Sequence, residues 1–325
     1  MTTIATPLVT VVTPFYNSEE YLAECIESVL AQTYQNWEYV LLDNCSTDRS
    51  GEIAQQYADR DPRIRFIKAT EFVGQVPNYN RALRQLSDDS KYCKMVQADD
   101  WILPDCLEKM VACAESDPKV AVVGAYSLYG EQLGHVSTPF RKSGIFDGKE
   151  AVYLYLKNPE GFLGSPTCVL YRSSEVRRRD PFFIEDSPCE DVDACFEIFR
   201  EHSFGFIYQI LSFNRRDNDS LWARIRSYRP TVMHRVYLLH RYGKGILTKA
   251  QFSELQQVAE NALYRVLGEA RLTPSYQKLL SFYQQSLALA GVHLNPWRIW
   301  TKTAKHGLKT FGNPASTLPA LIRRD

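Results

Sequence analysis

Apolar and polar positions in the first 125 residues fall into alternating strand-like and helix-like blocks. "LVTVVTPFYN" reads as a buried strand from Leu8 to Thr13 running into a loop. Asn17 and Glu20 have capping-box spacing, and Tyr21, Cys25, Ile26, Val29 and Leu30 form a helical apolar stripe after them. "WEYVLLDN" predicts a second strand ending at Asp43, followed by a helix through "GEIAQQYADRD" and a strand at "IRFIKA". "PNYNRALRQL" is helical and "YCKMVQ" is strand-like. "PDCLEKMVACAES" opens a helix with Pro104 in its first turn, and "KVAVVGAYSLYG" closes the series. Such alternation argues for a parallel sheet covered on both faces, whose ligands sit at the carboxyl ends of the strands. Asp43 and the pair Asp99 and Asp100 lie at such ends, so they can meet in space.

From Gly144 to Ser220 the pattern is mixed, with strand-like "SPTCVLYR" and "FGFIYQILSF" on either side of an acidic helix start. After Leu221 the chain turns helical. Thr248 and Gln251 have capping-box spacing, and Phe252, Leu255, Val258, Ala259, Ala262, Leu263 and Val266 keep a helical stripe. Pro274 and Gly291 bracket a further helix. No internal repeat or low-complexity segment interrupts the chain. The expected organisation is an α/β domain over residues 1–220, with halves at 1–125 and 126–220, and a helical region over 221–325.

Length and charge narrow the function classes. The 325 residues allow one sizeable core or two smaller ones, and 38 Lys and Arg balance 38 Asp and Glu, so nothing points to nucleic acid. No apolar run approaches the ~20 residues of a membrane span. "MTTIATPLVTVV" lacks a signal-peptide pattern, and the eight cysteines contain no CxxC pair. A cytoplasmic protein with reduced, metal-free cysteines is expected. The stretch 295–325 holds Arg298, Lys302, Lys305, Lys309, Arg323 and Arg324 against Asp325 alone, with Trp297 and Trp300 at its start. Two readings stand there: a solvated basic terminus, or a segment resting on an anionic membrane surface.

Three acidic clusters carry the candidate chemistry. Asp99 and Asp100 stop the strand-like "YCKMVQ" run; helix capping is the competing reading, but the next helix is expected to begin at Pro104, too far on. Adjacent carboxylates at a strand end suit magnesium, which takes one or two protein carboxylates and completes its shell with water and phosphate oxygens. Asp43 can accept a hydrogen bond from a base or ribose, whereas Ser46, Thr47 and Asp48 read as the entry to a helix. "IEDSPCEDVDACFEIF" places Glu185, Asp186, Glu190, Asp191 and Asp193 together. Ser187 as N-cap, Pro188 in the first turn and Glu190 in a capping box account for much of it, leaving Asp191 or Asp193 as a base. The dinucleotide, P-loop and nucleophile-elbow fingerprints are all missing.

Taken together, "TVVTPFYNSEEYLAECIESVLAQTYQNWEYVLLDNCSTDRS", "GQVPNYNRAL", "QADDWILPDCLEKM" and "CEDVDACFEIF" closely resemble the motifs of family 2 glycosyltransferases, over about Pro7 to Asp219. The resemblance implies the GT-A fold: a Rossmann-like, mainly parallel sheet flanked by helices, here with a helical C-terminal extension. It implies an inverting enzyme that moves a sugar from a nucleoside diphosphate, typically UDP, to an acceptor hydroxyl with Mg2+ or Mn2+. Synthesis of a cell-surface polysaccharide or a glycolipid is the expected setting, with a glycan or lipid-linked acceptor. Carried over, Pro14, Tyr16 and Asn17 lie in the loop around the base, and Asp43 recognises it. Asn80 sits near the nucleotide, Asp99 and Asp100 contact ribose and metal, Asp191 is the base and Arg216 a phosphate contact. This chain departs from the pattern at Gln97, where many members have Asp, at Tyr79, where Arg is common, and at Asp217, where many have His. The competing functions are a catalytically silent nucleotide-sugar binding protein and a sugar nucleotidyltransferase; the latter's Gly-rich basic loop is missing from "TPFYNSEEY".

Overall fold

A computed structural model describes residues 6–134, 138–158, 162–216 and 226–312. The chain divides into two compact units, Met1–Asp219 and Ser220–Asp325.

The first unit is built on one sheet. Strand β1 (Val9–Phe15) is buried along its whole length between two parallel neighbours, β2 (Trp37–Asp43) and β4 (Tyr92–Met95). Its unbroken apolar run follows from that position, since helices cover both faces of a parallel sheet. Helices α1 (Leu22–Leu30), α2 (Ser50–Ala58) and α3 (Gln75–Leu83) connect β1, β2, β3 (Ile64–Lys68) and β4 in sequence. The remaining elements are β5 (Trp101–Ile102), α4 (Cys106–Glu115), β6 (Val120–Tyr129), β7 (Gln132–Leu133), β8 (Gly144–Phe146), α5 (Gly148–Lys157), β9 (Val169–Arg172), α6 (Ser173–Arg177), α7 (Glu190–Ile198) and β10 (Ser203–Asn214). The strand order is β3-β2-β1-β4-β9-β6-β10-β5, with β7 on β6 and β8 on β10. β9 runs antiparallel to both β4 and β6, while β6 and β10 are parallel. The order therefore turns around at β1 and β4, and the carboxyl ends of β1, β2 and β4 open on one side, where ligands of such sheets bind.

Several local expectations give way to longer-range bonds. No capping box forms at Asn17 and Glu20. Asn17 takes a left-handed backbone (φ 47) and its Oδ1 accepts the Thr47 N–H at 2.8 Å, so Tyr21 stands at the N-cap of α1. Pro14, expected in the loop, is inside β1 opposite Leu42. It is tolerated there because the ladder with β4 has already ended at Val12, so no bond on that side needs its missing N–H. The helix expected from Pro104 begins at Cys106, after the short strand β5. Ser187 does not cap α7 from the N-cap position; Cys189 occupies it, and Ser187 Oγ accepts the Cys189 N–H instead.

The second unit contains helices Pro230–Leu238, Lys249–Ala270, Tyr276–Ala288 and Pro296–Gly312. Thr248 and Gln251 form the expected capping box. Leu255, Ala259, Leu263 and Leu267 face the core, whereas Val258 is exposed, displaced from the predicted stripe. Gly268 lets the last helix approach closely: a Cβ there would stand 2.6 Å from Lys302 Cβ. Among the described residues no helix is long and apolar enough to cross a membrane.

Candidate active site

Asp43 ends β2 with its side chain fully buried. Its Oδ1 accepts the Ser46 N–H at 2.8 Å, but Oδ2 has no hydrogen-bond partner among the described residues. A buried carboxylate oxygen without a donor is costly, so the position favours a ligand that brings one. Beside it, Asn44 ties down a neighbouring loop by donating to the Val73 carbonyl at 2.7 Å and accepting the Val73 N–H at 3.1 Å. That loop carries Phe72, whose ring lies 4.8 Å from the Tyr16 ring; both rings are exposed. Phe72 was not foreseen. Its only signal is a large aromatic in the otherwise polar "ATEFVGQ".

At the end of β4 the two adjacent aspartates behave differently. Asp99 is half-buried. Asp100 is buried, and both its oxygens accept donors from within the protein: Oδ1 the Arg215 N–H (3.0 Å), Oδ2 the Thr167 hydroxyl (2.6 Å) and the Asn214 amide (2.6 Å). Burial first, then the charge of Asp99, pushes the Asp100 carboxyl up to about 7. The expectation of Asp100 as a metal ligand therefore meets a buried carboxylate whose two oxygens already accept protein donors. Arg215 donates from Nε to the Asp99 carbonyl at 3.0 Å, pairs with Glu24 and lies 4.2 Å over the Tyr21 ring. Arg216, expected at phosphate, instead extends to β7, donating to Gln132 at 2.8 Å, with its guanidinium 5.5 Å from the Tyr129 ring. Asp217 to Ser220 lie outside the described residues.

Two consecutive residues of α3 spend their side chains on bonds within the protein. Asn80, expected near the nucleotide, is buried, donates to the Phe183 carbonyl and accepts the Phe183 N–H, both at 2.8 Å. Its amide is spent on fixing the segment that leads to α7. Tyr79 accepts hydrogen bonds from Gln97 Nε2 (2.8 Å) and from Gln75. Two of the three departures from the family pattern, Gln97 and Tyr79, thus touch each other as a neutral pair. Burial chiefly, with the charges of Glu190 and Asp99 adding to it, holds the Tyr79 hydroxyl far above its ordinary value.

Glu190 and Asp191 open α7, both half-buried. Asp191 Oδ1 accepts the Val192 N–H at 2.8 Å. A helix N-terminus favours ionised acids, yet burial outweighs it and raises Asp191 to about 6. Burial and then the Asp191 charge raise Glu190 further, to about 8. Near neutral pH this couple holds one ionised carboxylate poised to take a proton. Asp193, the alternative base, is fully buried in the same turn of α7.

No group of three His, Cys, Asp or Glu able to hold a metal occurs among the described residues. A single half-buried carboxylate such as Asp99 suits a hard cation that takes most of its ligands from water and phosphate.

The chain matches the family model for glycosyl transferase family 2 over residues 10–178. An uncharacterized glycosyltransferase of Haemophilus influenzae is 35% identical over 226 residues, spanning 67% of this chain and 86% of the relative. Glycosyltransferase GlyG of Streptococcus pneumoniae is 34% identical over 128 residues, and GlyA of the same organism 36% over 126. The match spans 42% of GlyG and 18% of GlyA, less than half the length of either. S. aureus TarS residues 1–349, solved in complex with UDP-GlcNAc, superposes with a TM-score of 0.64 at 17% identity, covering 86% of this chain and 81% of that one. The mannosyltransferase PcManGT of Pyrobaculum calidifontis, solved with GDP-Man and Mn2+, gives 0.58 at 17% identity, covering 97% and 84%.

Proposed function

Because the chain belongs to glycosyl transferase family 2 and is a GT-A-fold glycosyltransferase, we propose that it transfers a sugar with inversion from a nucleoside-diphosphate sugar, UDP-linked, to an acceptor hydroxyl. The observation that carries the reading is the end of β2: a buried carboxylate oxygen of Asp43 without a donor, next to the exposed Tyr16 and Phe72 rings. A nucleobase supplies what both lack, an N–H for the carboxylate and a flat face for the rings. A UDP-sugar bound to TarS and a GDP-sugar bound to PcManGT support the donor class; the imide N–H of uracil is the donor we assign to Asp43.

With the base at Asp43, the diphosphate extends toward Asp99. That carboxylate would hold a Mg2+ or Mn2+ ion, which supplies positive charge beside the leaving group. Asp191 takes the proton of the acceptor hydroxyl. The acceptor oxygen bonds to the anomeric carbon as the bond to the diphosphate oxygen breaks, and that electron pair leaves with the nucleotide. The raised proton affinity of Asp191, at the start of α7, favours catalysis over silent binding. We assign the donor and the base to the unit Met1–Asp219, in a cytoplasmic enzyme of cell-surface polysaccharide or glycolipid synthesis. Trp297 and Trp300, both exposed and stacked at 5.0 Å, favour a peripheral contact of the basic C-terminal stretch with the membrane carrying a lipid-linked acceptor. The test is a panel of UDP- and GDP-sugars with Mn2+, reading nucleotide release and the anomeric configuration of the product. Retention of configuration, or release of no nucleotide from any donor with a range of glycan acceptors, would sink the proposal.

A further inference from the structure

We infer that Asp99 and Asp100 divide their labour: Asp100 is a positioning residue that fixes Asp99 and Arg215 from the buried side and does not enter the ligand shell of the metal. The geometry carries the inference. The carboxylate is buried and receives the Arg215 N–H on one oxygen and the Thr167 hydroxyl and Asn214 amide on the other, so neither oxygen is without a protein donor to offer a cation.

The same bonds place Asp100 at a junction. Its Oδ1 holds the start of the segment after β10, and Arg215 in turn reaches back to the Asp99 carbonyl, so the two residues grip the strand end from both sides. Its Oδ2 holds the turn Pro166–Cys168 before β9 through Thr167, and that hydroxyl also accepts the Gln97 N–H at 3.1 Å. On the other side of Thr167, the fully buried Lys94 donates to its carbonyl and, at 3.2 Å, to the Val169 carbonyl. A buried lysine and a buried aspartate thus hold one turn through its carbonyl and its hydroxyl. The ends of β4, β9 and β10 are locked around Asp99, whose side chain is left half-exposed at the site.

The inference deepens the proposed function and rests on it only for the metal. Amide hydrogen exchange on the full chain tests the clamp without any ligand. Asp100→Asn should speed exchange in residues 210–216 and 165–172 by tenfold or more, while Asp99→Asn should not. Calorimetry of UDP with and without Mn2+ tests the division of labour. Asp99→Asn should lose Mn2+-dependent UDP affinity by tenfold or more, and Asp100→Asn should keep it within threefold. Turnover per UDP-titrated site should still fall about tenfold in Asp100→Asn. Thr167→Val, which leaves both aspartates in place, should reproduce part of that fall, and Thr167→Ser should restore it; this pair decides the matter if Asp100→Asn does not fold. Loss of Mn2+ dependence in Asp100→Asn equal to that in Asp99→Asn would overturn the inference, as would unchanged exchange or unchanged turnover per titrated site. Wild-type protein without Mn2+-dependent UDP binding would instead overturn the nucleotide reading, and the exchange comparison would still decide the clamp.

Discussion

The carboxylates at the strand ends and those at the start of α7 are the same chemical groups in opposite circumstances. Around β4, the protein supplies donors to both oxygens of Asp100. At α7, Asp191 receives the N–H of its own neighbour, and Glu190 sits against its charge. Donor supply therefore separates a carboxylate that holds the scaffold from one left free to exchange a proton. Asp43 stands between the two cases, with one oxygen engaged and one waiting.

The largest test of this contrast is Asp191→Asn. The amide keeps the shape of the side chain but cannot take a proton, so turnover should fall by roughly 10²–10⁴-fold, the range for loss of a general base. UDP affinity, measured by calorimetry, should hardly change, because the proposed nucleotide contacts lie on other elements. Near-normal turnover in a folded variant would place the base elsewhere, with Glu190 the next to test.

Asp43→Asn follows in size. The variant can still accept the Ser46 N–H through its amide oxygen, but it turns a donor of its own toward the base. UDP should bind about 10–100-fold more weakly, the equivalent of one hydrogen bond to a charged group. Unchanged affinity by calorimetry would mean that the unpartnered oxygen faces something other than the nucleotide.

Gln97→Asp adds a second carboxylate where the chain has a neutral amide bound to Tyr79. Mn2+ affinity without nucleotide should rise by about tenfold, since the shell gains a hard anionic ligand. If manganese binds the wild-type protein as well without UDP as with it, the single-carboxylate description of the site is wrong.

The contrast between the two regions also marks what the chain's pattern could disclose. Strands β1, β2 and β4 were legible because burial on both faces demands continuous apolar runs, and Asp43, Asp99 and Asp191 were legible as acids where those runs or a helix begin or end. The sequence also carries the departures at Tyr79 and Gln97, but not their contact. What stayed hidden are bonds between residues far apart in the chain. Asn80 meets Phe183 and Asp100 meets Thr167 and Asn214, and neither pairing leaves a local trace. The caps failed for the same reason at smaller scale: Asn17 found a better partner in Thr47 than in its own helix. Phe72 was hidden because an isolated aromatic in a loop has no periodicity to report it.

The smallest expected effect concerns pH and bears on how the α7 couple shares its protons. Asp191 works as a base only when ionised, so turnover should rise with pH through about 6. Glu190, raised to about 8, keeps its proton across that limb. Glu190→Gln imitates the protonated form and should therefore move the limb by less than about half a pH unit, a small change set against the 1.36 kcal/mol that one unit represents. Stability runs the other way. Both groups hold protons in the folded chain above the pH of about 4 at which they lose them when unfolded, so their contribution is greatest near and below that pH and declines as pH rises through about 6 and 8. Melting temperature and turnover measured across pH 5 to 9 should thus drift in opposite directions in the wild type. In Asp191→Asn the downward drift in melting temperature should flatten, because one buried charge is gone and Glu190 loses the neighbour that raised it. A turnover limb that moves by a full unit in Glu190→Gln would assign the working proton to Glu190 instead.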